Sequence, residues 1–320
     1  LAVFANGSWR VTDRFKIDAG LRQARNEQWF SQNGDAGILV PLGDFPGESS
    51  EDVFTWSLSP QFTINDDAMV YLRAATGYQP GGPNVALPGM PPTVDSSMLA
   101  SYEIGLKSQF ADRRVLLDVA AYRIDWEDIQ VAASFNGIGG LVNGGEATSE
   151  GVELSAQFRA TPNLDFGVNG AYNKATLKDD FQPAVIPQDG YDVVINSGLA
   201  GDRIPYVPEW SWSATAEYAF NAGAGLAGQV GGAVRWVGDR VNGTTERTRV
   251  TPPGDSSTDL FDPDIVAPLA LVSYAALDLY AGIGRGNWEV RAYVNNVTGE
   301  DGWSSVDLIS SEVSGTPVQT

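Results

Sequence analysis

The chain has 320 residues, of which 40 are acidic and 20 basic, giving a formal net charge of −20, and it has no cysteine and no histidine. So acidic a surface repels phosphodiesters and argues against a nucleic-acid partner. The missing residue types exclude disulfide frameworks, thiolate nucleophiles, Fe–S clusters, imidazole metal sites and the Ser-His-Asp triad. With 43% hydrophobic and 10% aromatic residues the chain can fill a core, yet no apolar run reaches the ~18 residues a spanning helix needs.

Alternation of apolar and polar residues predicts about twelve strands, near residues 2–11, 14–30, 52–64, 67–79, 98–110, 113–132, 147–160, 163–178, 208–220, 225–240, 270–284 and 287–298. In the fifth, Tyr102, Ile104, Leu106 and Phe110 alternate with Glu103, Lys107 and Gln109. In the seventh, Val152, Leu154, Ala156 and Phe158 alternate with Glu153, Ser155, Gln157 and Arg159. The ninth runs Trp210, Trp212, Ala214, Ala216, Tyr218, Phe220 against serine, threonine and Glu217, and the twelfth sets Trp288, Val290, Ala292 and Val294 against Glu289 and Arg291. Period 2 over such lengths places one apolar and one polar face on each strand. Pro60 and a change of phase at Tyr122–Arg123 predict bulges or strand ends.

The connections alternate in length. Tight turns fall at Thr12-Asp13, Asn65-Asp66, Ala111-Asp112, Pro162-Asn163, Asn221–Gly223 and Gly286, and long loops at 31–51, 80–97, 133–146, 179–207 and 241–269. One end of the sheet is trimmed and the other elaborated. This predicts an all-β fold, a transmembrane antiparallel β-barrel with short periplasmic turns and long extracellular loops. Aromatic residues near strand ends (Trp9, Trp56, Tyr78, Trp210, Phe220, Trp236, Trp288) suit girdles at the lipid surface. A soluble sandwich or propeller would also alternate, but its strands average ~5–6 residues.

Several stretches, in order, resemble the barrel of TonB-dependent outer-membrane receptors. They are TDRFKIDAGLR at 12–22, the strand and Pro-Gly-Gly loop of 59–82, SYEIGLK at 101–107, AYRIDWEDIQV at 121–131, SEGVEL at 149–154, GDRIPYVPEW at 201–210 and WEVRAYVNNVT at 288–298. The last departs from the family pattern, since Gly299 stands where an Asp is usual. The resemblance implies a barrel of ~22 strands with a plugged lumen, of which residues 1–320 supply about twelve strands as one partial barrel domain. It further implies that the plug, the energy-coupling box, about nine early strands and the last strand lie outside this chain. It implies a receptor rather than an enzyme, importing a scarce nutrient, typically a ferric siderophore, with energy coupled through TonB. The expected partners are outer-membrane lipid, TonB and such a ligand, with no cofactor. A passive porin-like channel of twelve closed strands is the alternative. An outer-membrane hydrolase is disfavoured by the missing histidine.

The polar face predicts lumenal side chains, among them Asp18, Arg22, Arg73, Glu103, Lys107, Asp118, Glu153, Glu217, Arg235, Asp278, Glu289 and Arg291, most of them paired or hydrated. Ligand contacts are expected near the outer mouth, at Tyr78, Gln79 and Asn84, with Arg73 deeper and Arg123, Asp125 and Trp126 where the next strand leaves the membrane. Glycines in Pro80-Gly81-Gly82 are expected to serve loop geometry. Asp255, Asp259, Asp262 and Asp264 share one loop but form no twelve-residue Ca²⁺ pattern, so the reading there is a solvated acidic loop and no metal.

Overall fold

The structure, a computed structural model, describes residues 1–34, 43–84, 91–135, 138–181, 184–188, 190–255 and 258–303. Among them there is no helix. Twelve long strands form one antiparallel meander, in which each strand pairs with its neighbours in the sequence. They are β1 (Ala2–Arg10), β2 (Phe15–Gly34), β3 (Gly43–Asn65), β4 (Ala68–Gln79), β5 (Ser97–Phe110), β6 (Val115–Glu127), β7 (Ala147–Thr161), β8 (Leu164–Leu177), β9 (Trp210–Gly223), β10 (Leu226–Val237), β11 (Tyr274–Arg285) and β12 (Trp288–Val294). Among the described residues β1 and β12 are not paired with each other.

The trimmed end is built from short polar turns. Thr12 Oγ1 accepts from the amides of Arg14 and Phe15, Asn65 Oδ1 from Asp67 N at 2.9 Å, and Asn221 Oδ1 from Gly223 N at 2.9 Å. These local bonds occupy backbone donors that have left the ladder. The β5–β6 turn is of another kind: Ala111, Asp112 and Arg113 all have positive φ, 54°, 57° and 62°. No side-chain-bearing residue favours that region.

Registers differ from expectation at two places. Pro60 neither ends nor bulges β3; the β3–β4 pairing skips Ser59 and Pro60 and resumes in the same register. No phase change occurs at Tyr122–Arg123, because β6 keeps one register with both neighbours throughout. The break comes at Asp128, φ 54°, after which Gln130–Phe135 and Ile138–Asn143 form a hairpin of their own. The loops are also more ordered than polarity implied. The β2–β3 hairpin runs on to Gly34 and Gly43, inside the expected loop 31–51. Polar side chains do not prevent a ladder whose two faces are both in water.

The two faces of the meander differ as alternation requires. Paired residues share a face, so Leu106, Val119, Leu154, Gly170, Trp212, Trp236 and Ala275 form one row of the apolar face. Lys107, Asp118, Ser155, Asn169, Ser213 and Arg235 form the adjacent row of the polar face. On β9 the apolar side chains run from Trp210 to Phe220. At ~3.4 Å per residue this is about 34 Å of strand, or about 26 Å of height at a tilt of ~40°, matching the ~25 Å apolar band of outer-membrane barrels. Aromatic residues close both ends of the band, with Tyr172 on Trp210 at 4.7 Å above and Phe158 on Phe166 at 6.4 Å below.

On the concave face tyrosines lie across glycines. Tyr71 pairs with Gly105, and a Cβ on Gly105 would sit 2.3 Å from the ring. The ring's hydroxyl donates to Glu103 at 2.5 Å, and Lys107 stands 5.8 Å above its centroid. Tyr280 repeats the arrangement over Gly231, with Glu217 accepting from its hydroxyl and Arg291 5.4 Å above the ring. Each glycine gives up side-chain packing so that a neighbour's ring can cover the backbone.

Candidate functional site

The elaborated end of the sheet is the mouth, and its geometry begins where β4 leaves β3. The last β3–β4 pair is Ser57–Ala75, while β4 stays paired with β5 as far as Gln79–Ser97. Side chains span the opening. Thr76 Oγ1 accepts from Trp56 N at 3.0 Å, and the Tyr78 hydroxyl accepts from the Asn26 amide at 3.2 Å. The same amide reaches Glu51 at 3.1 Å, and Glu51 also accepts from Gly81 N at 3.1 Å. Gln28 donates to the Gly81 carbonyl at 2.5 Å.

The Pro-Gly-Gly segment is thereby tied to β2 and β3. It is held equally on its other side. Gln79 donates to Gln130 at 3.1 Å, and Gln130 donates to the carbonyls of Pro80 at 2.9 Å and Asp95 at 3.0 Å. Asn143 receives the Asp95 amide at 2.6 Å and donates to the carbonyls of Asp95 and Asp128. Asn84 is buried, donates to the Leu141 carbonyl and accepts from Leu141 N at 3.3 Å. Neither Gly81 nor Gly82 has positive φ. Gly81 is required by close approach: a Cβ there would lie 2.1 Å from the Val94 carbonyl oxygen.

The structure therefore gathers Gln79 and Asn84 at one strap, with their polar atoms engaged in holding it, while Tyr78, set by the β4–β5 register on the face of Ala74 and Tyr102, reaches Asn26 through its hydroxyl. Arg73 lies deeper on the concave wall, paired with Glu103 in register, and makes no ion pair among the described residues. Trp126 and Ile204 pack against a small apolar cluster of Ile129, Ala147 and Leu177 under the loops. The buried Trp126 indole N–H has no partner among the described residues. Arg123 and Asp125 are placed elsewhere. The continuous register sets them on the convex face, in the rows of Tyr102, Glu150 and Thr148. There Arg123 binds Asp125 at 2.9 Å, and Lys178 bridges Asp125 at 3.5 Å and Glu146 at 3.1 Å. This charged belt sits directly above Val152 and Tyr172 and marks where the lipid band ends. The residues that brace the strap, Asn26, Gln28, Glu51, Gln130 and Asn143, carried no signal beyond polarity in an alternating or loop context.

Farther along the mouth, two loops are joined into one body. Strands Ala184–Gln188, Tyr191–Ser197, Glu246–Thr251 and Asp264–Val266 form a four-stranded sheet across the β8–β9 and β10–β11 connections. Asp202 accepts from the amides of Leu199 and Thr245, at 2.9 and 2.8 Å, and from the Thr245 hydroxyl at 2.9 Å. Asp180 accepts from Ala200 N at 2.9 Å and pairs with Arg247 at 2.6 Å. The Ala200 amide and the guanidinium hold the Asp180 carboxyl below the ordinary range. Arg203 holds Asp239 down in the same way, at 2.7 Å. Of the acidic loop residues, Asp259 pairs with Arg249 at 2.6 Å. Below the mouth, the concave face forms an open trough of about 690 Å³, lined by Tyr71, Glu103, Glu153, Asn169, Ser213 and Arg235 among others. Leu154, Trp212, Trp236 and Val237 also line it, so charged and amide groups share this wall with apolar surface.

The arrangement matches known proteins over nearly its whole length. Residues 1–297 match the family described as TonB dependent receptor-like, beta-barrel. The pesticin receptor of Yersinia enterocolitica is 29% identical over 214 residues, covering 66% of this chain and 29% of that receptor. The catecholate siderophore receptor Fiu of Escherichia coli K12 is 27% identical over 260 residues, covering 72% of this chain and 32% of that receptor. The chain thus spans about a third of the length of these relatives. Among solved structures, the ferric yersiniabactin uptake receptor FyuA from Yersinia pestis superposes with a TM-score of 0.74 at 22% identity, over 97% of this chain and 42% of that one. The siderophore receptor PiuA from Acinetobacter baumannii gives 0.71 at 17% identity, over 95% and 39%.

Proposed function

Since this chain belongs to the TonB-dependent receptor-like β-barrel family, a family of bacterial outer-membrane receptors, we propose that it forms barrel wall and mouth of a receptor importing a ferric siderophore, with energy supplied through TonB. The observation that carries this reading is the division of one meander into two solvents. The convex face presents an apolar band closed by aromatic residues. The concave face presents the row of Lys107, Asp118, Ser155, Asn169, Ser213 and Arg235, along a trough that leads to loops stitched over the mouth. A closed sheet satisfies its backbone within lipid, and a polar interior can hold a plug and pass a hydrated solute. Relatives named for catecholate siderophore and ferric yersiniabactin uptake support the ligand class. Within the mouth, the reading gives ligand contact to the strap that follows Tyr78 and carries Gln79 and Asn84 and to the wall at Arg73, with Trp126 supporting the adjacent loops. Arg123 and Asp125, on the convex face, are assigned to the lipid boundary.

The passive-channel alternative needs a twelve-strand sheet that closes on itself, a pairing of β1 with β12 that is not seen among the described residues. The test is uptake of radiolabelled ferric complexes by iron-starved cells with and without the natural full-length gene. Uptake of one siderophore class that is lost on deletion of the gene and abolished without TonB is the expected result. Unchanged uptake of every complex, or uptake indifferent to TonB, would refute the reading.

A further inference from the structure

We propose that Arg240, at the outer end of the β10–β11 hairpin, anchors a site for an oxyanion that presents two oxygens, such as a carboxylate group of the imported solute. The proposal rests on the receptor reading above and adds to it the charge and shape of a group the mouth selects.

The β10–β11 ladder pauses after Val237–Tyr274 and resumes in the same register at Arg240–Leu271. Val237 lies two residues beyond Arg235 and shares its polar face, as does its partner Tyr274. The Arg240 guanidinium lies over the Tyr274 ring, 5.6 Å from its centroid, and Arg240 as a whole is 7% exposed. Its Nη2 donates to the Trp303 carbonyl at 2.7 Å, and its Nε is buried with no partner among the described residues. Among the described residues no carboxylate forms an ion pair with it. The neighbouring Asp239 is already taken by Arg203, at 2.7 Å. The other well-covered arginines of the mouth have acids, Asp180 for Arg247 and Asp259 for Arg249.

A buried guanidinium without a carboxylate is costly, and a buried N–H left unpaired adds to that cost. In a chain with 40 acidic residues the missing acid is a specific feature of this position. The geometry says what would complete it. One edge of a guanidinium offers Nε and Nη2 as a fork that matches two oxygens of one anion. Here a single carbonyl fills one tine and the other is empty. An anion with two oxygens that displaces Trp303 from Nη2 would satisfy both, on a face already favourable to a stacked guanidinium.

The test uses the natural full-length protein in detergent, with inorganic phosphate as the probe and chloride at equal ionic strength as the reference. Binding is followed by isothermal titration calorimetry. Phosphate is expected to bind in a saturable way that chloride does not reproduce, because two of its oxygens satisfy Nε and Nη2 of Arg240 together. Arg240→Gln should move the midpoint about ten- to hundredfold higher, the loss of a charge-assisted bond. Arg240→Lys keeps the charge without the fork and should move it about tenfold. Equal heats in phosphate and chloride, or an unchanged midpoint in both variants, would overturn the site. A phosphate response that survives while ferric-complex uptake fails would leave the site standing and sink only the receptor reading.

Discussion

Charge placed on adjacent residues of β9 should separate the two faces. Ala214 sits at the middle of the outward run from Trp210 to Phe220, in the row of Leu117, Ala156, Val168 and Val234. Ser213 points into the trough and pairs with Arg235. Arginine at a lipid-facing midplane position costs about 2–4 kcal/mol. Arginine at 213 would meet the Arg235 charge in a watery interior, and two unit charges about 5 Å apart at the permittivity of water repel by about 0.8 kcal/mol. Ala214→Arg should therefore destabilise the natural full-length protein by about 1–3 kcal/mol more than Ser213→Arg. Urea titration of the protein refolded into lipid vesicles would measure the difference, with heat-modified migration in SDS as a check on assembly. Equal midpoints, or a larger loss at Ser213, would mean that the faces have been assigned the wrong way round.

Other expectations follow from single contacts. Gly105→Val should displace the Tyr71 ring from its seat and break its bond to Glu103, costing about 1–3 kcal/mol in the same titration; no change would show that the ring is not needed. Asp112→Gly in the β5–β6 turn should stabilise by about 1 kcal/mol, since positive φ strains a side-chain-bearing residue; destabilisation would argue against that backbone. Asp202→Ala should leave three donors without an acceptor and speed proteolysis near 197–202 and 243–246, while unchanged cleavage would mean the loops are not joined there. Asp180 and Asp239 have depressed pKa values, so their contribution is present above the unfolded-state value and lost as pH falls through the folded one. Hydrogen-exchange protection of 191–197 and 246–251, corrected for intrinsic rates, should hold from pH 7 down to about 3.9 and fall only below it. Loss between pH 7 and 5 would contradict the pairing.

What the sequence determined by itself was whatever repeats along a strand. A period of two residues is a local property of the extended backbone. Runs such as Tyr102–Phe110 and Trp210–Phe220 therefore revealed their strands, their two faces and the order of the meander. Turn chemistry at Thr12, Asn65 and Asn221 marked the trimmed end for the same reason: each side chain bonds backbone two or three residues away. At Arg123 and Asp125 alternation says which residues share a face but not how charge is used where lipid gives way to water. Above the band a convex position can hold charge. The mouth depended on tertiary structure throughout. Asn26 reaches Tyr78 across 52 positions, Asn84 meets Leu141 across 57, and Arg240 meets Trp303 across 63. Contacts at such separations leave no period in the sequence, since they depend on where neighbouring hairpins end once the sheet has formed.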